Sequence, residues 1–225
     1  MTTYLITGCG RGIGLAMTKA LLERGDRVIG SLRSGSAPVT HDNFQQLTFD
    51  VCDEAAINAA ASGLDDPINV LINNAGIMGP RTSSALEMDF AGFAEVLDVN
   101  VLGPLRVVHA FLPHLRKAAS KHGSAKVMTV SSQMGGMTMP GSDRIAYRTS
   151  KAAVNKVMQG VAADLEKEGI AVLLTHPGWV RTDMGGGSAA LSPDESAAGL
   201  INVVDALTIE STGSFVNWDG SERPW

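Results

Sequence analysis

TGCGRGIG, residues 7–14, follows a short apolar run at residues 4–7 and leads into a helical pattern that begins LAMTKALL. Gly8 permits a tight turn, Gly12 lets the backbone approach a ligand closely, and Gly14 allows the helix to pack tightly against the strand. The first amide groups of such a helix attract an anion, for example a pyrophosphate. Because the stretch lies between a strand and a helix, it predicts a dinucleotide-binding turn.

The alternation of strand and helix continues along the chain. Short apolar or β-branched runs predict seven strands, at residues 4–7, 27–32, 46–49, 69–73, 126–131, 170–175 and 214–216. Helical patterns predict helices at residues 14–24, 54–62, 88–120, 146–168 and 193–207, the last with Pro193 in its first turn. This order predicts an α/β protein: a doubly wound Rossmann fold with a seven-stranded parallel sheet and helices on both faces. A length of 225 residues suits one domain, residues 1–225, that carries both the cofactor site and the substrate site.

Composition narrows the class of protein. A formal net charge of −5 argues against a nucleic-acid partner, because binding phosphates over a whole surface needs an excess of Lys and Arg. The two cysteines, Cys9 and Cys52, are too few for a disulfide framework and favour a cytoplasmic protein. The first residues have neither the basic region of a signal peptide nor the apolar length of a membrane span. No metal-ligand spacing is present, so we expect no bound metal. From the charge and the N-terminal residues we expect neither a nucleic-acid partner nor a membrane.

The end of the second predicted strand bears on the choice of cofactor. Enzymes that bind NAD usually have an acidic residue there, which binds the ribose 2′-hydroxyl. This chain has Gly30-Ser31-Leu32-Arg33 instead. Without a carboxylate to repel a 2′-phosphate, and with Arg33 and Arg11 available to bind it, NADP is the better match, and NAD is the alternative. Each arginine taken alone could equally be a solvated surface charge.

Five motifs together resemble those of the short-chain dehydrogenase/reductase family. They are TGCGRGIG at 7–14, NNAG at 73–76, DVN ending at Asn100, the serine pair 131–132 and YRTSK at 147–151, and PGWVRTDM at 177–184 adds the segment that closes over the nicotinamide in this family. AYRTSKAAVN, HPGWVRTDMGG and the closing NWDG are similar to the C-factor/sniffer-like carbonyl reductase branch. The resemblance runs from residue 3 almost to the C-terminus. It implies an NADP(H)-dependent oxidoreductase that interconverts a carbonyl group and an alcohol.

Tyr147 and Lys151 are four residues apart, so on a helix they share one face. A lysine ammonium beside the phenol, together with the charge of an oxidised nicotinamide, would lower its pKa. Tyr147 could then act as general base in alcohol oxidation and as general acid in carbonyl reduction. The resemblance implies that Lys151 also holds the nicotinamide ribose, that Ser132 binds the substrate oxygen, and that Asn100 positions a water linked to Lys151. Ser131 competes with Ser132, which we favour because the second serine of the pair faces the substrate in this family.

The resemblance also implies a set of cofactor-binding residues. Asp50 and Val51 would contact the adenine, although a simple cap on the helix beginning near Asp53 is an alternative for Asp50. Asn74 to Gly76 would line the adenosine ribose, and Val180 and Thr182 would meet the carboxamide. The complete set is Gly8, Gly10, Arg11, Gly12, Ile13, Gly14, Arg33, Asp50, Val51, Asn74, Ala75, Gly76, Tyr147, Lys151, Val180 and Thr182.

The sequence does not identify the substrate or the oligomeric state. Met134, Met137, Met139 and Met184, with Trp179 as one wall, could form an apolar pocket or simply fill gaps in the core. A small carbonyl or alcohol is the expected partner, and the family commonly forms homodimers or homotetramers through its long helices. Two other functions are a cofactor-binding signalling or regulatory protein of C-factor type, and an epimerase or dehydratase. The latter normally needs a larger C-terminal portion.

Overall fold

The sheet at the centre of the protein contains seven parallel strands. We analysed a computed structural model that describes residues 1–138 and 140–225. The strands are β1 Thr3–Thr7, β2 Arg27–Leu32, β3 Phe44–Thr48, β4 Val70–Asn73, β5 Ala125–Val130, β6 Ile170–His176 and β7 Ser214–Asn217. Their order in the sheet is β3-β2-β1-β4-β5-β6-β7. The direction of winding reverses between β1 and β4, and in open α/β sheets ligands bind at the carboxyl ends of the strands beside such a reversal.

Helices cover both faces of the sheet. They are α1 Gly12–Glu23, α2 Glu54–Ser62, α3 Phe90–Leu97, α4 Gly103–His122, α5 Ile145–Leu165 and α6 Pro193–Ala206. One apolar core lies between the sheet and α2, α4 and α5, with Phe111 and Val154 fully buried in it. The other core lies between the sheet and α1 and α6, around Met17 and Leu200. The predicted doubly wound α/β fold is therefore confirmed, and each predicted strand begins and ends within two residues of an observed one.

The predicted continuous helix at 88–120 is wrong in one respect. Helix α3 passes into a π-helical turn, Asp98–Leu102, before α4 begins. A π turn is a single local change in hydrogen bonding inside a helical stretch, so helical patterns on both sides of it do not reveal it. The turn buries the side chain of Asn100, whose amide group bonds to the backbone of a neighbouring loop. Such single turns often mark functional sites.

The combined helical segment Phe90–His122 is long and apolar enough to span a membrane by those two criteria alone. In the structure its apolar side chains pack into the protein core instead. Val107, Phe111 and Leu115 are fully buried in the core beneath the sheet. A core helix of this length and composition satisfies the same criteria, since both environments exclude water.

Candidate active site

The glycine turn leaves the first amide groups of α1 without a side-chain partner. Arg11 precedes the helix and makes no capping hydrogen bond, and no acidic residue lies in the first turn. Gly8 and Gly12 have φ of 73° and 54°, a region that other residues rarely adopt. A Cβ atom on Gly14 would lie 2.3 Å from the carbonyl oxygen of Gly8. The turn therefore presents uncapped amides at close range, and a pyrophosphate fits this arrangement.

Thr7 joins the ends of β1 and β4 beside this turn. Its hydroxyl accepts hydrogen bonds from the backbone amides of Asn74 at 3.0 Å and Ala75 at 3.1 Å. The side-chain amide of Asn74 donates in return to the Thr7 carbonyl at 2.9 Å. These bonds place the NNAG segment against the glycine turn. The motifs give Thr7 no separate role, although a hydroxyl at the end of a predicted strand and next to glycines is a signal present in the sequence.

The two arginines proposed for the 2′-phosphate differ in their surroundings. Arg33 is exposed directly after β2, and within residues 1–138 and 140–225 it forms no ion pair with an acidic side chain. Arg11 pairs with Asp183 at 2.6 Å, with side chains 80% and 79% exposed. An exposed pair of this kind adds little stability, so an arriving phosphate could replace the carboxylate. Of the two arginines, Arg33 is therefore the one without an acidic partner among the described residues.

Asp50 does not cap the second helix. The cap is Asp53, which accepts from the backbone amide of Ala56 at 2.9 Å. Asp50 instead accepts from the backbone amide of Cys52 at 3.0 Å. Val51 packs against the start of α4, since a Cβ on Gly103 would lie 3.0 Å from its Cγ2. Asp50 and Val51 thus lie at the carboxyl end of β3, and the capping alternative for Asp50 does not hold.

Tyr147 and Lys151 are buried on one face of α5. The Nζ of Lys151 donates to the carbonyl oxygen of Val130 at 2.9 Å and lies 5.6 Å from the centroid of the Tyr147 ring. Burial lowers the pKa of Lys151 to about 8. The ammonium is therefore held between the end of β5 and the phenol ring, in surroundings that disfavour its charge.

The lowering of the Tyr147 pKa by Lys151 and a charged nicotinamide remains a prediction, because the protein's own residues shift this pKa in the opposite direction. Burial raises the pKa of the phenol, and the opposing effects of a hydrogen bond with Ser132 and of the Arg144 charge do not reverse it. Lys151 directs its Nζ to the Val130 carbonyl rather than to the phenol oxygen, and desolvation is the largest effect on the phenol. At neutral pH the phenol is protonated.

The two adjacent serines point to different neighbours. The Ser131 hydroxyl donates to the Asn155 side chain at 2.5 Å, within the packing of β5 against α5. The Ser132 hydroxyl accepts from the backbone amide of Met134 at 3.1 Å, and it lies close enough to the Tyr147 phenol to oppose the rise in the phenol's pKa. The structure thus brings Ser132 to the phenol and assigns Ser131 to helix packing.

Asn100 connects three parts of the site. Its side chain accepts from the Ile77 amide at 2.9 Å and donates to the Ile77 carbonyl at 2.9 Å. It also donates to the Ser150 hydroxyl at 3.0 Å, on the helix that carries Tyr147 and Lys151. A Cβ on Gly76 would lie 3.1 Å from the Asn100 oxygen and 3.8 Å from Lys151 Nζ. The π turn therefore aligns the segment after β4 with α5.

A cavity of about 410 Å³ opens beside the phenol. It is lined by Ile13, Met78, Arg81, Ser131, Ser132, Gln133, Met134, Arg144, Tyr147, His176, Pro177, Gly178, Trp179, Val180, Thr182, Asp183, Met184, Gly185 and Gly186.

Three of the five residues predicted for an apolar pocket line this cavity. They are Met134, Met184 and Trp179. Met137 is not among the lining residues and is 82% exposed, so its prediction is wrong, and Met139 lies outside the described residues. The motifs give no role to Arg81, Arg144 or His176. Arg81 and Arg144 lie outside every quoted motif, His176 only opens the stretch HPGWVRTDMGG, and the three meet only in the folded chain.

The segment after β6 folds back over the glycine turn. A Cβ on Gly12 would lie 3.2 Å from Cγ2 of Thr182. Val180 pairs with Leu191 in an isolated bridge, and the Trp179 indole donates to the Gly185 carbonyl at 2.8 Å. Thr182 therefore lies between the glycine turn and the Tyr147 cavity, and Val180 lines the same cavity.

Comparison with known proteins identifies the family. The family model for short chain dehydrogenases matches residues 2–190. This chain belongs to the short-chain dehydrogenase family. Members of the short-chain dehydrogenase family are oxidoreductases, and the chain is accordingly an oxidoreductase with the Rossmann-type fold of that family. The resemblance inferred from the five motifs is confirmed.

Individual relatives place the chain near carbonyl reductases and one signalling protein. The carbonyl reductase Sniffer of D. melanogaster superposes with a TM-score of 0.94, at 32% identity and 100% coverage of both chains. The NADPH-bound carbonyl reductase from chicken fatty liver gives 0.91, at 31% identity, covering 100% of this chain and 99% of that one. C-signal of Myxococcus xanthus is 42% identical over 160 residues, which are 71% of this chain and 93% of C-signal.

Proposed function

We propose that this short-chain dehydrogenase is an NADP(H)-dependent oxidoreductase that reduces a small aldehyde or ketone to an alcohol, or catalyses the reverse reaction. The observation that carries the proposal is the position of the Tyr147 phenol. It lines the cavity together with Ser132, and Ile13 of the glycine turn lines the same cavity. Proton donor, substrate space and dinucleotide turn therefore meet at one place.

Tyr147 is the general acid in the reducing direction. A bound nicotinamide would supply the hydride that adds to the carbonyl carbon. Ser132 would hold the carbonyl oxygen by a hydrogen bond, and Tyr147 would donate its proton to that oxygen as the C–O double bond becomes single. The buried phenol holds its proton at neutral pH, so Tyr147 carries the proton that the reducing direction consumes.

Lys151 and Asn100 would support the proton transfer. Lys151 lies beside the phenol ring and would bind the nicotinamide ribose and help return a proton to Tyr147. Asn100 is a positioning residue, since its amide group is bonded to Ile77 and Ser150. A water between Asn100 and Lys151 would connect the lysine with solvent.

Several features support NADP(H) as the preferred cofactor, with NAD as a weaker substitute. Arg33 follows β2 where an acidic residue would favour NAD, and it is exposed and uncommitted among the described residues. The carbonyl reductase from chicken fatty liver that superposes on this chain is bound to NADPH. Gly8 to Gly14 would hold the pyrophosphate, Asn74 to Gly76 the adenosine ribose, Asp50 and Val51 the adenine, and Val180 and Thr182 the carboxamide.

Replacing the phenol tests the proposal. Purified protein is assayed for NADPH oxidation over a panel of aldehydes and ketones, beside Tyr147→Phe. We expect turnover to fall by about a thousandfold or more in this variant while the Kd for NADPH changes less than about threefold. Tyr4→Phe is the matched control, because it removes the other tyrosine hydroxyl, which bonds to Asp205 at 2.9 Å outside the cavity. Full activity in Tyr147→Phe would refute the mechanism.

A signalling role of C-signal type is the second candidate, supported by the 42% identity with that protein. Such a role would depend on a surface rather than on hydride transfer. If a biological output of this chain survives in Tyr147→Phe and Lys151→Met, signalling is separate from catalysis. If the output disappears in both variants, while their folding is intact, it depends on turnover.

We also propose that residues 1–225 act as one domain in a homodimer or homotetramer. Leu102 and Leu105, at the start of the long helix α4, are exposed apolar residues that a second subunit could cover. Light scattering coupled to size-exclusion chromatography gives the mass directly. A single species at 23.5 kDa would contradict self-association.

A further inference from the structure

Arg144 occupies an unusual backbone conformation at the cavity. It immediately precedes α5, three residues before Tyr147, with φ of 51° and ψ of 39°. In residues 1–138 and 140–225 it is the one residue other than glycine with a positive φ. A long side chain in this conformation costs free energy, and strain of this kind is concentrated at binding and catalytic sites. Its side chain lines the cavity.

A second arginine lies on the same side of the cavity. The Arg144 amide donates to the Thr82 carbonyl at 2.9 Å, and the Ser142 hydroxyl donates to the Ser83 carbonyl at 3.1 Å. These bonds hold the segment before α5 against the segment that carries Arg81. Arg81 also lines the cavity. Two guanidinium groups thus border one space.

No carboxylate in the described chain neutralises these two arginines. Neither forms an ion pair within 4.0 Å among residues 1–138 and 140–225. Asp183 lines the cavity but pairs with Arg11 at 2.6 Å. Asp143 is close enough for the Arg144 charge to lower its pKa, but its carboxylate bonds to Arg148 at 2.8 Å. The cavity therefore carries an excess of positive charge.

His176 adds a polar group without adding charge. Burial and the nearby Arg223 lower the pKa of His176 to about 4, so the imidazole is neutral at physiological pH. The side chain lines the cavity and is more than nine-tenths buried. Its Nδ1 has no hydrogen-bond partner in the part of the chain that the structure describes. A buried nitrogen without a partner is costly, and a ligand in the cavity could supply the missing bond.

We propose that the substrate is an aldehyde or ketone, or the corresponding alcohol, that carries a carboxylate, and that Arg144 binds this carboxylate while Ser132 and Tyr147 bind the carbonyl oxygen. The inference rests on the function proposed above. A guanidinium group binds a carboxylate through two parallel hydrogen bonds, which fixes the direction of the substrate. Arg81 would add attraction at the cavity mouth, and His176 would accept or donate a further hydrogen bond.

The arginines at this cavity are distinct from the one assigned to the cofactor. Arg33 follows β2, whereas the cavity lies at the ends of β5 and β6, and β1 and β4 lie between them in the sheet. Part of the 410 Å³ adjoins Ile13 and Thr182, where the nicotinamide would lie. The cavity also adjoins Arg144 and Arg81, beside which the substrate carboxylate would lie.

The test compares matched ligands in wild type and in Arg144→Asn. Asparagine tolerates a positive φ, so this variant removes the charge without adding backbone strain. The reduction of 4-carboxybenzaldehyde is compared with that of its uncharged methyl ester. We expect kcat/KM to favour the acid in wild type, and this preference to fall about tenfold in Arg144→Asn. Arg144→Lys should restore part of it, and Lys121→Gln, an exposed charge on α4, should leave it unchanged.

A binding measurement keeps the test independent of turnover. Calorimetry with benzoate and benzamide, on protein saturated with NADP⁺, reports the carboxylate site directly. Benzoate should bind wild type about tenfold more tightly than benzamide does, and Arg144→Asn should remove the difference without changing the Kd for NADPH.

The outcomes distinguish this inference from the proposed function. Equal binding of the two probes, or no binding of benzoate, overturns the carboxylate site, and the proposed reductase activity still stands if either aldehyde is reduced. Selective benzoate binding that Arg144→Asn removes supports the site, even if neither aldehyde is reduced and the proposed function fails.

Discussion

The Nζ atom of Lys151 lies 5.6 Å from the centroid of the Tyr147 ring. Both side chains are buried, and the lysine's hydrogen bond runs to the Val130 carbonyl rather than to the phenol. The ammonium therefore adjoins the phenol ring while its charge is poorly solvated. Its lowered pKa is the direct consequence of this position.

The first prediction follows from that pKa. The pKa of Lys151 falls from its usual 10.5 to about 8, so the unfolded chain binds this proton more tightly than the folded one does. The buried charge destabilises the fold below pH 8, and the penalty disappears as the pH rises from 8 to 10.5. We expect the free energy of unfolding of wild type minus that of Lys151→Met to rise by about 3 kcal/mol across this interval.

Urea denaturation of both proteins at several pH values measures the difference. Taking the difference cancels the titration of the cysteines and of Tyr4, whose raised pKa values act in the opposite direction. The same comparison with Lys121→Met, an exposed lysine, should be flat. A flat profile for Lys151→Met as well would mean that Lys151 is not held in a desolvated site.

The second prediction concerns the π turn. Asn100→Ala removes three hydrogen bonds and leaves the Ile77 amide and carbonyl without their partner. We expect a loss of about 2 to 3 kcal/mol in the free energy of unfolding, together with lower kcat, because the segment after β4 and helix α5 lose their alignment. Asn58→Ala, at an exposed position of α2, should change stability by less than about 0.5 kcal/mol. If the two variants unfold alike, Asn100 does not align the site.

The third prediction concerns Thr7. Thr7→Val keeps the shape of the side chain but removes the acceptor for the amides of Asn74 and Ala75. We expect a loss of about 2 kcal/mol in stability and weaker NADPH binding, because two amides at the ribose side lose their partner. Equilibrium denaturation and fluorescence titration with NADPH measure both. Thr48→Val, at an exposed strand end, is the control and should leave the Kd for NADPH unchanged.

The fourth prediction tests the choice of cofactor. Arg33→Gln should raise the Kd for NADPH about tenfold and leave the Kd for NADH nearly unchanged, since the arginine would contact only the 2′-phosphate. Lys19→Gln removes an exposed charge on α1 and is the control, because it tests whether losing any positive charge near the site weakens cofactor binding. Equal weakening for both cofactors would assign Arg33 to structure or to general electrostatic attraction, and tighter NADH binding by wild type would contradict the preference for NADP.

Several features of the site depend on contacts between residues far apart in the chain, which local sequence patterns do not report. The pairing of Arg11 with Asp183 joins residues 172 positions apart, and it commits one of the two arginines proposed for the phosphate. The sign of the Tyr147 pKa shift depends on burial, which no spacing of residues reports. Arg81 and Arg144 share a cavity wall because the Arg144 amide bonds to Thr82, a contact absent from any local pattern.

The sequence by itself determined the seven parallel strands, the glycine turn at residues 7–14 and the shared helix face of Tyr147 and Lys151, because each depends on residues close together in the chain. Tertiary structure alone decided that the Ser131 hydroxyl bonds to Asn155, that a π turn carries Asn100, and that two arginines border the cavity. Local patterns encode backbone geometry and amphipathic faces. Desolvation, and the meeting of side chains from distant elements, arise only when the sheet and its two helix layers have packed.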